Sequence, residues 1–72
     1  MISHHKLRLA VDIGGTFTDI VLAGAAGEIL ATTKTPTTPA NPTLGAMTGV
    51  TSALNSAGAS LKDVTGFIHG TT

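Results

Sequence analysis

The sequence predicts a small α/β domain in the order β-β-β-α-β: three antiparallel strands, one crossover helix, and a fourth strand parallel to the first. Three observations carry that reading. Two glycine-containing links, Gly14-Gly15-Thr16 and Gly24-Ala25-Ala26-Gly27, are short enough to join neighbouring strands as hairpins. Three prolines between Pro36 and Pro42 end the strand pattern, because proline lacks the backbone donor that a ladder needs. A helical stripe and one more strand follow, and a helix between two strands is the crossover that makes them parallel.

Met1–Lys6 reads as a flexible polar leader, with His4 and His5 exposed in it, and the domain runs from Leu7 to Thr72. Leu7–Ile13 is the first strand: Leu7, Leu9, Val11 and Ile13 alternate with Arg8, Ala10 and Asp12, the period of a half-buried strand. Phe17–Ala23 is the second, and its consecutive Ile20, Val21 and Leu22 suggest burial on both faces. Glu28–Thr35 is the third. Pro36–Pro42 is an extended connector whose last residues start a helix, with Asn41 as N-cap and Pro42 in the first turn. Leu44, Met47, Val50, Leu54 and Ala57 then fall three or four apart, an apolar stripe, and Gly58 is the expected C-cap. Gly45 and Gly49 each weaken such a helix by about 1 kcal/mol relative to alanine, so packing must hold it. Ser60 caps a turn of helix, Val64–His69 is the fourth strand, and Gly70-Thr71-Thr72 reads as the start of a turn.

Composition narrows the function. The 72 residues include no cysteine, which removes disulfides, thiolate metal sites and a cysteine nucleophile. Four Lys/Arg against four Asp/Glu leave no net charge, so the basic footprint of a nucleic-acid binder is missing. No apolar run approaches the roughly 20 residues of a membrane span, and Leu7–Val11 is interrupted by Arg8, unlike a signal-peptide core. A cytoplasmic protein is expected. With Phe17 and Phe67 as the only aromatics, the core is thin, as in a piece of something larger.

Chemistry concentrates in Asp12-Ile13-Gly14-Gly15-Thr16-Phe17-Thr18-Asp19. Paired glycines let backbone lie close against a ligand, and their amides with that of Thr16 would form an anion-binding nest. Thr16 and Thr18 hydroxyls would donate to phosphate oxygens, and Asp12 would hold a hydrated Mg²⁺ beside them. The alternative is a plain turn with Asp12 as its cap. Neither a Gly-x-x-x-x-Gly-Lys-Ser/Thr loop nor a Gly-x-Gly-x-x-Gly opening a helix is present, so the phosphate would sit on a hairpin. Asp19, inside an apolar strand, is either a buried partnered carboxylate or a functional one, and needs a specific partner in both cases. Lys34 and Lys62 read as residues of solvated turns. A second constellation, His69-Gly70-Thr71-Thr72, ends the fourth strand and would arrive beside the Asp12 loop. There His69 is either a structural residue or one that moves a proton or polarises a carbonyl.

Residues Val11 to Val21, together with Phe67-Ile68-His69-Gly70-Thr71-Thr72 and the linker Lys34-Thr35-Pro36-Thr37-Thr38-Pro39, closely resemble the N-terminal region of the hydantoinase A/5-oxoprolinase family, which includes a subunit of acetone carboxylase. The resemblance implies an incomplete ribonuclease-H-like (actin-like ATPase) lobe. It also implies ATP with Mg²⁺ as cofactors, a cyclic amide or imide as substrate, and a second hydantoinase-B-type subunit as partner. By the same resemblance Asp12 would organise the metal and Gly14, Gly15, Thr16 and Thr18 would cradle the terminal phosphates. His69, Thr71 and Thr72 would line the cleft near the reacting group. The parent would be an ATP-dependent hydrolase, and 72 residues alone would be inactive. A sugar kinase sharing Asp-x-Gly-Gly-Thr, a non-enzymatic actin-like ATPase and an interaction module are the alternatives; Phe17-Thr18-Asp19 and His-Gly-Thr-Thr weigh against the sugar kinase.

Overall fold

The computed structural model describes residues 6–71, and only the backbone of Thr71. The leader histidines His4 and His5, and Thr72, lie outside the described residues. Strands β1 (Leu7–Ile13), β2 (Phe17–Ala23), β3 (Ile29–Pro36) and β4 (Val64–Thr71) form one sheet in the order β3-β2-β1-β4. β1 pairs antiparallel with β2, β2 antiparallel with β3, and β1 parallel with β4. Helix α1 (Pro42–Ala57) makes the crossover, and one 3₁₀ turn, Leu61–Asp63, leads into β4. The element order and every pairing direction agree with the sequence reading.

β4 runs two residues further than expected. Gly70 and Thr71 continue the ladder opposite Asp12 and Ile13 instead of opening a turn, because β1 still offers backbone partners there. Two bulges adjust the phase of the sheet. Leu22 pairs with Ala31 but Ala23 with Ile29, so Leu30 is an extra residue and both Leu30 and Ala31 pack partly against the core. Thr65 is skipped in the same way between the Leu7–Val64 and Arg8–Gly66 pairs.

The helix caps behave as the residue types dictate. The Asn41 side-chain oxygen accepts from the Leu44 amide at 3.2 Å, and Gly58 takes the left-handed conformation (φ 68°) that lets its N–H close the last turn. The buried stripe, however, is rotated from the expected one. Gly45, Ala46, Gly49, Val50, Ala53 and Leu54 face the sheet, while Leu44 and Met47 are exposed. Small residues win that face because they let the helix backbone approach β2 and β3. A Cβ on Gly49 would collide with the Ile20 δ-methyl and come within 3.3 Å of Thr35 Cγ2.

The core therefore lies on one side of the sheet: Leu7, Leu9 and Val11 from β1, Ile20 and Leu22 from β2, and the small face of α1. The other side has no covering element among the described residues. Val21, expected to be buried on that side, is half-buried for this reason. α1 sits over β3 and β2 and barely reaches β1. A groove of about 360 Å³ thus remains between α1 and β4, with Leu9, Val11, Met47, Val50, Phe67 and His69 on its walls. No described helix is long and apolar enough to cross a membrane.

Candidate functional site

The β1–β2 hairpin presents residues 14–16 at the end of the sheet. The Gly14 N–H donates to the Phe17 carbonyl at 2.9 Å and closes the link. That bond removes one of the three amides expected to form a nest. The Gly15 and Thr16 N–H groups have no acceptor among the described residues, and both residues are exposed. Neither Gly14 nor Gly15 has positive φ, so the glycines are not there to relieve a left-handed turn. What Gly15 contributes is bareness: a Cβ on it would meet nothing within 4 Å, so its amide stands open to an approaching group.

Thr16 and Thr18, read from the sequence as a pair of phosphate donors, are separated by the fold. Thr16 is exposed in the link, whereas Thr18 is the one buried polar side chain among the described residues, 1% exposed. Strand alternation turns Thr18 toward α1, and its hydroxyl lies 2.9 Å from Thr37 Oγ1. Direct donation from Thr18 to an outside ligand is thereby corrected to an internal bond. Thr37 Oγ1 in turn donates to the Gly14 carbonyl at 2.8 Å, and the Thr37 N–H donates to the Thr16 carbonyl at 2.8 Å. In the sequence Thr37 is only one residue of a proline-rich connector. Twenty-three residues separate it from Gly14, and no local spacing rule links them.

On the uncovered face of the sheet, register lines up Lys34, Asp19, Asp12 and Gly70 across β3, β2, β1 and β4. Asp19 finds its required partner in Lys34, with Nζ 3.8 Å from Oδ1 and both side chains more than half exposed. Asp19 is thus partnered but not buried, because nothing covers this face. Lys34 also lies 5.5 Å from the Phe17 ring centre, so it is neither loose nor part of a turn. Asp12 stands directly opposite Asp19, a like-charge relation that the Lys34 ammonium offsets from the Asp19 side. Gly70 matters here as well: a Cβ on it would sit 3.6 Å from Asp12 Oδ1 and narrow access to that carboxylate. No group of three or more His, Asp or Glu side chains able to hold a metal exists among the described residues. A single carboxylate suits Mg²⁺ that keeps its waters and takes further ligands from phosphate, rather than an all-protein cage.

His69 does not join this row. It pairs with Val11, one residue out of step with Asp12, and period-two alternation sends it to the helix side of the sheet. There it stacks on Phe67 at 6.4 Å between ring centres and lines the groove between α1 and β4. The expectation that His69 shares a cleft with Asp12 is therefore corrected, since the sheet stands between them. The Thr71 backbone pairs with Ile13. Its side chain and the whole of Thr72 lie outside the described residues.

A family model for the hydantoinase/oxoprolinase N-terminal region matches residues 8–72. The chain belongs to this family. It is 37% identical over 65 residues to an uncharacterized protein of Methanocaldococcus jannaschii, a match that covers 90% of this chain and 9% of that protein. The chain therefore spans less than a tenth of that relative's length. Its structure superposes with a TM-score of 0.79 on component A of (R)-2-hydroxyglutaryl-CoA dehydratase from Acidaminococcus fermentans, covering 93% of this chain and 25% of that one at 18% identity. That likeness concerns the fold alone, the β-β-β-α-β unit of the actin-like fold.

Proposed function

We propose that this hydantoinase/oxoprolinase-type chain carries part of the Mg²⁺–ATP phosphate site of an ATP-dependent cyclic amide or imide hydrolase. The observation that carries the reading is the hairpin link, where the Gly15 and Thr16 amides have no acceptor among the described residues and Asp12 stands exposed on the adjoining strand. These parts fit a polyphosphate with its metal: bare donors for terminal oxygens and one anionic anchor for a hydrated cation. Bound ATP would supply the phosphoryl group that activates the carbonyl oxygen of the substrate before water opens its ring. The Gly15 and Thr16 amides and the Thr16 hydroxyl would hold terminal phosphate oxygens, while Asp12 would orient the metal's water shell. Gly14 would serve through its backbone position, and Thr18 from behind the link. His69, on the helix side, and Thr71 and Thr72 are left without a step.

Electrostatic catalysis of phosphoryl transfer needs donors around the group and exclusion of water. One hairpin and one strand end cannot enclose it, so turnover would belong to a longer protein, in the cytoplasm, with a second hydantoinase-B-type subunit as partner. The ninefold-and-more excess length of the archaeal relative is in keeping with that. Titrating Mg²⁺–ATP into ¹⁵N-labelled chain tests the site. Shifts confined to Gly15, Thr16 and their neighbours are expected, and they should vanish in Asp12→Ala while the remaining spectrum stays folded. A folded chain with no response at these amides would refute the phosphate site here. Loss of dispersion in Asp12→Ala would mean that Asp12 is a turn cap.

A further inference from the structure

We infer that Thr37 is the positioning residue of the phosphate link, an inference that rests on the reading above only for its consequence and not for its geometry. Thr37 grips the link at two points: its hydroxyl donates to the Gly14 carbonyl and its N–H donates to the Thr16 carbonyl, both at 2.8 Å. These two carbonyls bracket the Gly15 and Thr16 amides.

The peptide plane converts that grip into aim. The Gly14 C=O and the Gly15 N–H belong to one rigid peptide and point to opposite sides of it. Holding the carbonyl inward therefore turns the Gly15 N–H outward, where it has no acceptor among the described residues. Without such a clamp, consecutive glycines would leave this plane free to rotate, since glycine restricts φ and ψ least of all residues. The direction of the second bond follows from proton counting. A threonine hydroxyl has one proton, and that of Thr37 is committed to a carbonyl that cannot donate. Thr18 must therefore be the donor to Thr37 Oγ1, which makes a polarised chain from Thr18 through Thr37 to Gly14.

The clamp is itself held. Pro36 precedes Thr37 and restricts its approach. Thr38 Oγ1 donates to the Asn41 carbonyl at 2.5 Å, tying the same segment to the start of α1. The connector that looks like a spacer in sequence thus joins the helix cap to the link, and Thr37 is where it touches the site.

The experiment compares Thr37→Val, which keeps the shape and removes the hydroxyl, with Thr37→Ser, which keeps the hydroxyl. In ligand-free chain, Thr37→Val should shift the Gly15 and Thr16 amides and speed their exchange with solvent, while Thr37→Ser leaves both near wild type. Mg²⁺–ATP affinity should fall about tenfold in Thr37→Val, the worth of one hydrogen bond, and stay within about twofold in Thr37→Ser. A purely structural threonine would lower stability without this localised signature or the serine rescue. Unchanged Gly15 and Thr16 amides in folded Thr37→Val overturn the inference whether or not nucleotide binds. If wild-type chain ignores nucleotide while the ligand-free amides still respond to Thr37→Val, the phosphate reading fails and the clamp stands. If Thr37→Val does not fold, the wild-type spectrum decides: the Thr37 hydroxyl proton should exchange slowly enough to be observed, with a coupling or cross-peak toward Gly14. A hydroxyl in fast exchange with water overturns the inference.

Discussion

Gly15→Ala separates stability from binding at one position. Gly15 does not have positive φ, and a Cβ on it would meet nothing within 4 Å, so alanine fits the existing backbone without strain. Where a glycine's native conformation suits alanine, the substitution stabilises by about 0.4–1 kcal/mol, because the unfolded chain has fewer conformations to lose. The same methyl projects into the open space beside the Gly15 amide, where a phosphate oxygen would have to come within about 3 Å of the nitrogen. Losing one such charge-assisted bond costs about 1.5–3 kcal/mol, or roughly a ten- to hundredfold weaker Kd. Urea melts of wild type and Gly15→Ala should therefore show a midpoint that rises or holds, with an unchanged slope, while an Mg²⁺–ATP titration of the same two samples weakens. A lowered midpoint would mean that the link does not have the described conformation. A raised midpoint with undiminished binding would mean that nucleotide phosphates do not approach Gly15.

Gly49→Ala should have the opposite sign on stability. Helix propensity favours alanine by about 1 kcal/mol, but overpacking against Ile20 and Thr35 costs about 1–3 kcal/mol. A net loss of about 1 kcal/mol is expected in denaturant melts, and a gain would show that the helix can lift from the sheet without penalty. Asn41→Ala removes the side-chain acceptor of the Leu44 amide and should destabilise by about 1 kcal/mol, with Asn41→Asp or Asn41→Ser restoring most of it. Lys34→Gln should change stability by less than about 1 kcal/mol at low salt and by nothing measurable at high salt, because its pair with Asp19 is exposed. A larger, salt-independent loss would mean that the uncovered face is occupied in solution.

Local rules made most of the fold legible. Leu7–Ile13 and Phe17–Ala23 were bounded by glycine links, and Asn41, Pro42 and Gly58 marked the helix ends because capping chemistry is specific to those residue types. What was not legible depended on tertiary approach. The stripe through Leu44 and Met47 is the stronger hydrophobic pattern, but the sheet accepts Gly45 and Gly49 instead, since closeness of backbones outweighs the burial of two flexible side chains. In the site, the glycines and Asp12 announced themselves through local chemistry. The inward turn of Thr18 followed from its strand phase once the buried face of Phe17–Ala23 was known. Thr37 could not be found, because its three bonds join positions 19 to 23 residues apart and one residue type, threonine, is abundant throughout the chain.

Parity across the parallel β1–β4 ladder decides how the His-Gly-Thr-Thr end can take part. Val11 pairs with His69 and Asp12 with Gly70, so moving from histidine to glycine crosses from the groove side to the carboxylate side of the sheet. The residue that this strand end contributes beside Asp12 is therefore the one without a side chain. Gly70 leaves Asp12 Oδ1 approachable, since a methyl there would stand in van der Waals contact with it, at 3.6 Å. His69 meanwhile has an aromatic neighbour in Phe67 and a wall of β1 and α1 side chains, surroundings that suit packing against apolar groups. Among the described side chains, a ligand held by Asp12 and the Gly15 amide thus meets the β4 end at its backbone and at Gly70. His69 is exposed on the groove side of β4, so any chemistry at it would approach from the helix face of the sheet, the face toward which Thr18 turns.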